Sequence, residues 1–326
     1  MRIYQDNRLN IVMLSGYLGS GKTTWLRHAL FTKQYGRAQV FTQEAAEQPV
    51  DDLLLSDAMS VTVLTGTAGT PKGKDELIAA LIDIAELRTK RERIPLALSH
   101  TNPDTLIIET SGLADPAEII IAIKEHPVLV YHFVLKETII MADALHFDVA
   151  LSTDVLCQQQ LLSADRIIVT KSEEISTQSL SNLVSTLKII NPAAPISLSA
   201  YGVESALPPL PLPTENYKKL ISTRFESLVN VISLSIPEKV NWVEFMVWLS
   251  ALLHARGDNI LRVKGVLKTD DGLLLLQSVR KIMQQPEVLP LETIESNSGD
   301  IVFIGSDLTE DMLLASIHSF LGLERL

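Results

Sequence analysis

The chain has 326 residues, 46% hydrophobic and 21% charged, with a formal net charge of −11. This is the composition of a globular protein with one large domain or two modest ones, and so acidic a surface argues against broad nucleic-acid binding. No apolar run reaches the ~18 residues of a membrane span, and the opening MRIYQDNRLN lacks the apolar core of a signal peptide, so the expected address is cytoplasmic, away from membranes.

In chain order, short apolar runs alternate with helical patterns through the first two hundred residues. NIVMLS (Asn10 to Ser15), AQVF, VTVL, TLIIE, TIIMA and RIIVT read as strands. Their hydrophobicity is continuous rather than alternating, which suits a sheet covered on both faces. In DELIAALIDIAEL, Leu77, Ala80, Leu81, Ile84 and Leu87 share one helix face, and the RTKRER that follows reads as its solvated end. DPAEIIIAI opens with Asp115 as N-cap, Pro116 at the first helical position and Glu118 in the first turn. Such alternation predicts an α/β fold with a mostly parallel sheet. ALPPLPLPTENYKK, with Pro208, Pro209, Pro211 and Pro213, reads as an extended linker rather than a loop within one domain. Beyond it, LVNVISLSI, ILRVKGVL, GLLLLQSV and DIVFIG read as strands, and VNWVEFMVWLSALLHA and DLTEDMLLASIHSFL as helices. The expected division is an α/β domain over 1–205, a linker over 206–222 and a smaller α+β domain over 223–326.

The chemistry concentrates in the first domain. IVMLSGYLGSGKTTWL holds a complete G-x-x-x-x-G-K-[ST] pattern, Gly16, Gly21, Lys22 and Thr23, between a strand and a helix. In such a loop, glycines let successive backbone N–H groups, here from Gly16, Gly19, Ser20, Gly21 and into Thr24, curl around phosphates. Lys22 is placed to reach the β- and γ-phosphates, and the Thr23 hydroxyl to ligate Mg²⁺. DTLIIETSGLADP puts Glu109 at a strand end as the acid that holds the ion, with Gly112 three residues on, where GTPases use a glycine N–H to sense the γ-phosphate. RIIVTKSEEI ends a strand with Thr170, Lys171, Ser172 and Glu173, where GTPases carry Asn-Lys-x-Asp. A lysine stem against the purine and a carboxylate toward the guanine N1–H and N2–H favour guanine over adenine.

Cys157, in the helical pattern VLCQQQLL, is the sole cysteine, and it reads as a buried structural residue. The histidines form no HxH or HExxH pair, so spacing gives no support to a histidine-built metal site.

Taken with their order, these motifs resemble the CobW-type family of P-loop GTPases, relatives of the urease and hydrogenase accessory GTPases. GYLGSGKTT resembles the family's phosphate loop, IIETSGLADP its second motif, and ADALH with QQQLLSADRIIVTK its third region. ILRVKGVL, LLQSV and IVFIG resemble the family's C-terminal hallmarks. The resemblance implies a Mg²⁺-dependent GTPase that binds GTP and GDP with slow intrinsic turnover. It also implies a role as a chaperone or metallochaperone toward a client, such as a metalloenzyme or cobalamin biosynthesis, by a monomer or dimer. A nucleotide-dependent adaptor that hydrolyses little is the alternative. The first-switch Asn-Glu-Phe-Gly-Glu of the family stands here as Gln43-Glu44-Ala45-Ala46-Glu47, leaving Glu44 and Glu47 as candidate switch acids and water-positioning groups.

The family's metal motif, Cys-x-Cys-Cys after a glycine, falls on LTGTAGTPKGKDEL, where Gly66 keeps the glycine while Thr67, Gly69 and Thr70 occupy the cysteine positions. The stretch is no second phosphate loop, because Gly69 and Gly73 are one residue too close and Asp75 replaces the hydroxyl. It reads as a metal-site scaffold without its ligands, so no transition metal is expected.

Overall fold

The computed structural model describes residues 7–42, 60–64, 70–92, 103–214, 230–236, 241–269, 272–284, 286–289 and 300–321. The first sheet is built from β1 (Leu9–Ser15), β2 (Ala38–Thr42), β3 (Ser60–Val63), β4 (Thr105–Glu109), β5 (Phe133–Asp143), β6 (Arg166–Thr170), β7 (Ile196–Ala200) and β8 (Val203–Ser205). These lie in the order β3-β2-β4-β1-β5-β6-β7-β8, and only β8 runs antiparallel to its neighbour.

Continuous apolar strands follow from burial on both faces. Along β1, Leu9, Ile11 and Met13 enter one core layer while Val12 and Leu14 enter the other. α1 (Lys22–Phe31) covers the second layer with Trp25, Leu26, Ala29 and Leu30. The opposite face carries α2 (Pro71–Glu92), α3 (Pro116–Glu125), α4 (Leu129–His132), α5 (Phe147–Thr153), α6 (Val155–Leu162) and α7 (Thr177–Ile190). Right-handed crossovers require this split, because the chain steps one way from β1 to β2 and the other way from β4 through β7. Neighbouring strands β1 and β4 therefore send their following helices to opposite faces, which opens a crevice at their carboxyl ends.

The elements agree with the sequence expectations at most positions and differ at some for identifiable reasons. Asp115 caps α3 by accepting from Ala117 N–H at 2.9 Å, with Pro116 following it. α2 begins at Pro71, four residues before the expected Asp75, because proline at the first helical position costs no hydrogen bond. β5 begins at Phe133, five residues before the expected Thr138. Its first half contains Lys136 and Glu137, charges that disguise a strand. Glu137 is matched there by Tyr35 (2.9 Å) and Arg166 (3.3 Å). Arg166 also bonds Glu204 (2.5 Å), which accepts from Trp25 Nε1 (2.9 Å), so β5, β6, β8 and α1 are tied at the end of the sheet away from the phosphate loop.

The second sheet is antiparallel, built from β9 (Asn230–Ser235), β10 (Ile260–Thr269), β11 (Gly272–Val279), β12 (Ile282–Met283), β13 (Glu287–Leu289) and β14 (Asp300–Gly305). Its order is β12-β11-β10-β14-β9, with β13 also on β11. α8 (Trp242–Arg256) and α9 (Glu310–Leu321) pack on one face around Phe245, Trp248, Phe303 and Leu313. The other face meets the first domain, where Ile304 and Val279 join its core layers. Arg262 is fully buried at this junction. Its guanidinium pairs with Asp165, which also accepts from Thr138 N–H at 2.8 Å. Burial lowers the Arg262 pKa to about 10 and, with the Arg262 charge, that of Lys264 to about 8.

Of the proline-rich segment, residues 206–214 are described and lie along α7. Pro211 O accepts from Ser181 Oγ (2.6 Å), Leu212 O from Gln178 Nε2 (2.9 Å), and Thr214 exchanges bonds with Asn182.

Candidate nucleotide site

The loop from Gly16 to Gly21 turns the chain from β1 into α1, and its tight curl rests on glycine. A Cβ on Gly16 would lie 2.4 Å from Met141 O and the residue has φ +138°, so both space and backbone demand glycine. Gly19 and Gly21 also have positive φ, and Gly21 is the N-cap of α1. The loop thus delivers the N-terminus of a helix and its unpaired N–H groups to the crevice, a ready anion site. Lys22 is buried and folds back over the loop, its Nζ donating to Gly16 O (3.1 Å) and Tyr17 O (3.5 Å). Ser20 is buried within the loop, and Thr24 is exposed on the first turn of α1.

β1 and β2 flank β4 in a register that sets Glu109 level with Leu14 on one side and Thr42 on the other. The Glu109 side chain, 2% exposed, accepts from Thr23 Oγ1 at 2.8 Å through Oε1 and from Thr42 Oγ1 at 2.9 Å through Oε2. One carboxylate and two hydroxyls converge at the mouth of the loop. These are hard oxygen donors, the set that suits Mg²⁺. Thr42 was invisible in the sequence because a threonine ending a strand carries no spacing signal.

Just beyond Glu109, Thr110 is anchored by its N–H to Leu14 O (2.9 Å) and its hydroxyl to Ser15 Oγ (2.8 Å). Gly112 then presses against the phosphate loop so closely that a Cβ would lie 2.6 Å from Leu18 N. Asp115, which caps α3, also receives Arg280 Nη2 from the second domain at 3.3 Å. Burial pushes its carboxyl pKa up, against the Ala117 N–H and Arg280.

The end of β6 joins the same loop. Thr170 Oγ1 donates to Ser20 O (3.0 Å), and Lys171, in the left-handed region at φ 57°, donates to Gly19 O (3.0 Å) and to Asp143 Oδ2 (2.7 Å). Threonine in this slot therefore stitches the β6 loop to the phosphate loop. Glu173 sits exposed in a short 3₁₀ turn, Ser172–Glu174. Asp143, at the end of β5, was not singled out from the sequence. Its burial alone would raise the carboxyl pKa, but hydrogen bonds from Lys171, His146 and Leu145 N–H hold it below the ordinary value.

Glu44 and Glu47 lie outside the described residues, as do Gly66, Thr67 and Gly69. Thr70 is described, and its hydroxyl accepts from Gly73 N–H (3.3 Å) at the start of α2. Cys157 is buried, with its thiol pushed up to about 12 by burial first and by Asp154 second. Among the described residues no three His, Cys, Asp or Glu side chains gather as a metal cluster, and no helix is long and apolar enough to cross a membrane.

Comparison with known proteins follows the same division. Residues 10–197 match the CobW/HypB/UreG nucleotide-binding domain, and residues 229–321 match the cobalamin synthesis protein cobW C-terminal domain. The zinc chaperone YjiA of Escherichia coli (strain K12) is 30% identical over 336 aligned positions, covering 98% of this chain and 100% of that protein. The zinc chaperone CobW of Pseudomonas aeruginosa is 23% identical, covering 97% and 92%. The crystal structure of zinc-bound YjiA GTPase from E. coli matches with a TM-score of 0.60 at 23% identity, over 96% of this chain and 99% of that one, which shows a common fold.

Proposed function

We propose, because this chain belongs to the CobW/HypB/UreG family, that it is a Mg²⁺-dependent GTPase whose nucleotide state governs its grip on a client protein. The observation that carries the reading is the convergence on one phosphate loop of Lys22, the Thr23–Glu109–Thr42 oxygen cluster and the Thr170–Lys171 strand end. Lys22, Thr23 and Glu109 are the types of group that phosphoryl transfer uses at those places.

In this reading the loop amides and Lys22 hold the β- and γ-phosphates, displacing the lysine from its contacts with Gly16 O and Tyr17 O. Thr23 and Glu109 would hold the ion, which when bound would neutralise charge developing on the transferring phosphoryl group. Thr42 keeps the Glu109 carboxylate aimed as its bond to Thr23 is exchanged. Gly112 offers an N–H to the γ-phosphate. Lys171 packs its stem against the purine with Glu173 as the guanine acceptor, and Glu44 or Glu47 serves the first switch. The domain boundaries we adopt are 1–205, 206–222 and 223–326.

The client is a partner whose activity depends on a metal, in keeping with relatives named zinc chaperones. With one buried cysteine in the chain, a thiolate-held cargo is not part of the proposal. The altered first switch, Gln43-Glu44-Ala45-Ala46-Glu47, and Glu173 in place of an aspartate favour the second reading, a nucleotide-dependent adaptor that hydrolyses little and carries no transition metal.

Purified protein with Mg²⁺ should turn over GTP slowly, and Lys22→Ala should lower kcat by about 10²–10³-fold, the usual cost of removing one charge-stabilising donor. Tight, selective GTP binding without turnover establishes the adaptor. Absence of any Lys22-dependent nucleotide binding refutes both.

A further inference from the structure

Gln160, on α6, is nearly fully buried at 1% exposure and faces the back of the loop that carries Gly112. Its Nε2 donates to Gly112 O (3.1 Å) and to Ala114 O (2.9 Å). Both partners are carbonyls, so the amide must present its NH₂ group and both of its hydrogens are engaged. A buried amide is costly unless so matched, and no apolar residue could perform this bridging. On the other side of the same loop stands the backbone of Leu18, with no room for even a methyl group on Gly112.

The consequence for geometry is specific. Thr110 is fixed to β1 through Leu14 O and Ser15 Oγ, and the Gly112 carbonyl is fixed to Gln160. The Ser111–Gly112 peptide, whose N–H belongs to Gly112, lies between these two anchors. Its orientation relative to the phosphate loop is thereby set from both ends. α6 is itself registered to the phosphate loop, since Tyr17 of that loop packs against the core layer that holds Cys157, Leu161 and Leu162 of α6.

We infer that Gln160 is a positioning residue for γ-phosphate recognition, holding the Gly112 peptide where its N–H meets a third phosphate. The inference rests on the GTPase reading above. It concerns only the distinction between nucleoside triphosphate and diphosphate, because the α- and β-phosphates are held by the loop at residues 16–23, while the hydrogen bonds of Gln160 go to Gly112 O and Ala114 O.

The test compares the affinity of the full chain for GDP and for a non-hydrolysable GTP analogue, each with Mg²⁺, in wild type, Gln160→Met and Gln160→Asn. Methionine keeps the length without the donors, and asparagine keeps the amide but retreats by one methylene. Met should weaken the triphosphate analogue at least about 10-fold, the value of one to two hydrogen bonds, while GDP changes less than about 2-fold. Asn should fall between Met and wild type. Equal losses for both nucleotides, or unchanged preference in a folded variant, overturns the inference, and so does failure of both variants to fold, which assigns Gln160 to stability alone. If wild type itself binds neither nucleotide, the GTPase reading has failed, an outcome distinct from a wild type that discriminates and a variant that discriminates equally.

Discussion

Arg262 and Asp165 offer a direct measure of what joins the two domains. Arg262→Met removes a fully buried guanidinium and leaves Asp165, only 6% exposed, without its charged partner. Removing one member of a buried pair costs about 3–5 kcal/mol. The lower figure applies here, because Asp165 keeps its bond from Thr138 N–H at 2.8 Å and Lys264 Nζ remains on the Asp165 carbonyl at 3.0 Å. Asp165→Asn should cost a similar ~3 kcal/mol, since the amide has one acceptor oxygen and faces two donors, Thr138 N–H and the guanidinium. In the double variant that conflict is gone, so it should lose about as much as either single. The implied coupling is about 3 kcal/mol, at the upper end for residues in contact. For a chain of this length 3 kcal/mol corresponds to a Tm shift of about 4–5 °C. Urea unfolding, followed by Trp25 in the first domain and Trp242 and Trp248 in the second, reads the energy and also whether the domains unfold together. Single-variant losses that simply add, within about 0.5 kcal/mol, would refute the idea that this pair binds the domains to each other.

Three further outcomes follow from the same contacts. The folded pKa of Lys264, about 8, lies below its unfolded value of about 10.4, so the unfolded chain binds more protons between those limits and this residue makes stability rise with pH across that window. Lys264→Met should flatten that rise in urea titrations at pH 7.5 and 9.5, and an unaltered slope contradicts the assignment. Cys157 should react with a thiol-specific reagent only on unfolding, because burial holds its thiol near 12. Stoichiometric labelling of the native protein within minutes would be the contrary result. Asp143→Asn should weaken GDP binding about 5-fold, corresponding to the ~1 kcal/mol of a partly exposed ion pair, by releasing Lys171 from its 2.7 Å contact. Unchanged affinity would show that Lys171 needs no such tether.

Much of the fold was legible because its signals are local. The phosphate loop is a spacing within eight residues, Asp115 announces α3 within three, and the buried strands betray themselves by unbroken apolar runs. The misjudged starts are places where a local signal pointed the wrong way. Lys136 and Glu137 interrupt the apolar run of β5, so only its second half reads as a strand, and the apolar face that marks α2 begins only at Leu77. What no local pattern encodes is the company each side chain keeps. Thr42 meets Glu109 across 67 positions, Asp143 meets Lys171 across 28, and Gln160 meets Gly112 across 48. A threonine, an aspartate or a glutamine at such positions has an ordinary composition and acquires its role only when the sheet order brings the partner near. The Arg262–Asp165 pair, 97 positions apart, belongs to the same class. A basic residue in the strand ILRVKGVL gives no hint that it faces a carboxylate in the other domain.

The lateral alignment of Thr42, Leu14 and Glu109 has a consequence for how the molecule comes into being. Thr23 and Glu109 are 86 positions apart and Ser20 and Thr170 are 150 apart, so the crevice has no existence until β6 docks. At a synthesis rate of about 5–20 residues per second, the phosphate loop emerges roughly 7–30 seconds before the strand that completes its surroundings. Loop-closure entropy must be overcome before any of these contacts returns energy, which makes the site one of the last features to form. A nucleotide that binds only the finished crevice then stabilises the folded chain, by about 2.7 kcal/mol at a concentration 100 times its Kd. The abundance of the folded protein in a cell would accordingly follow the supply of its own ligand.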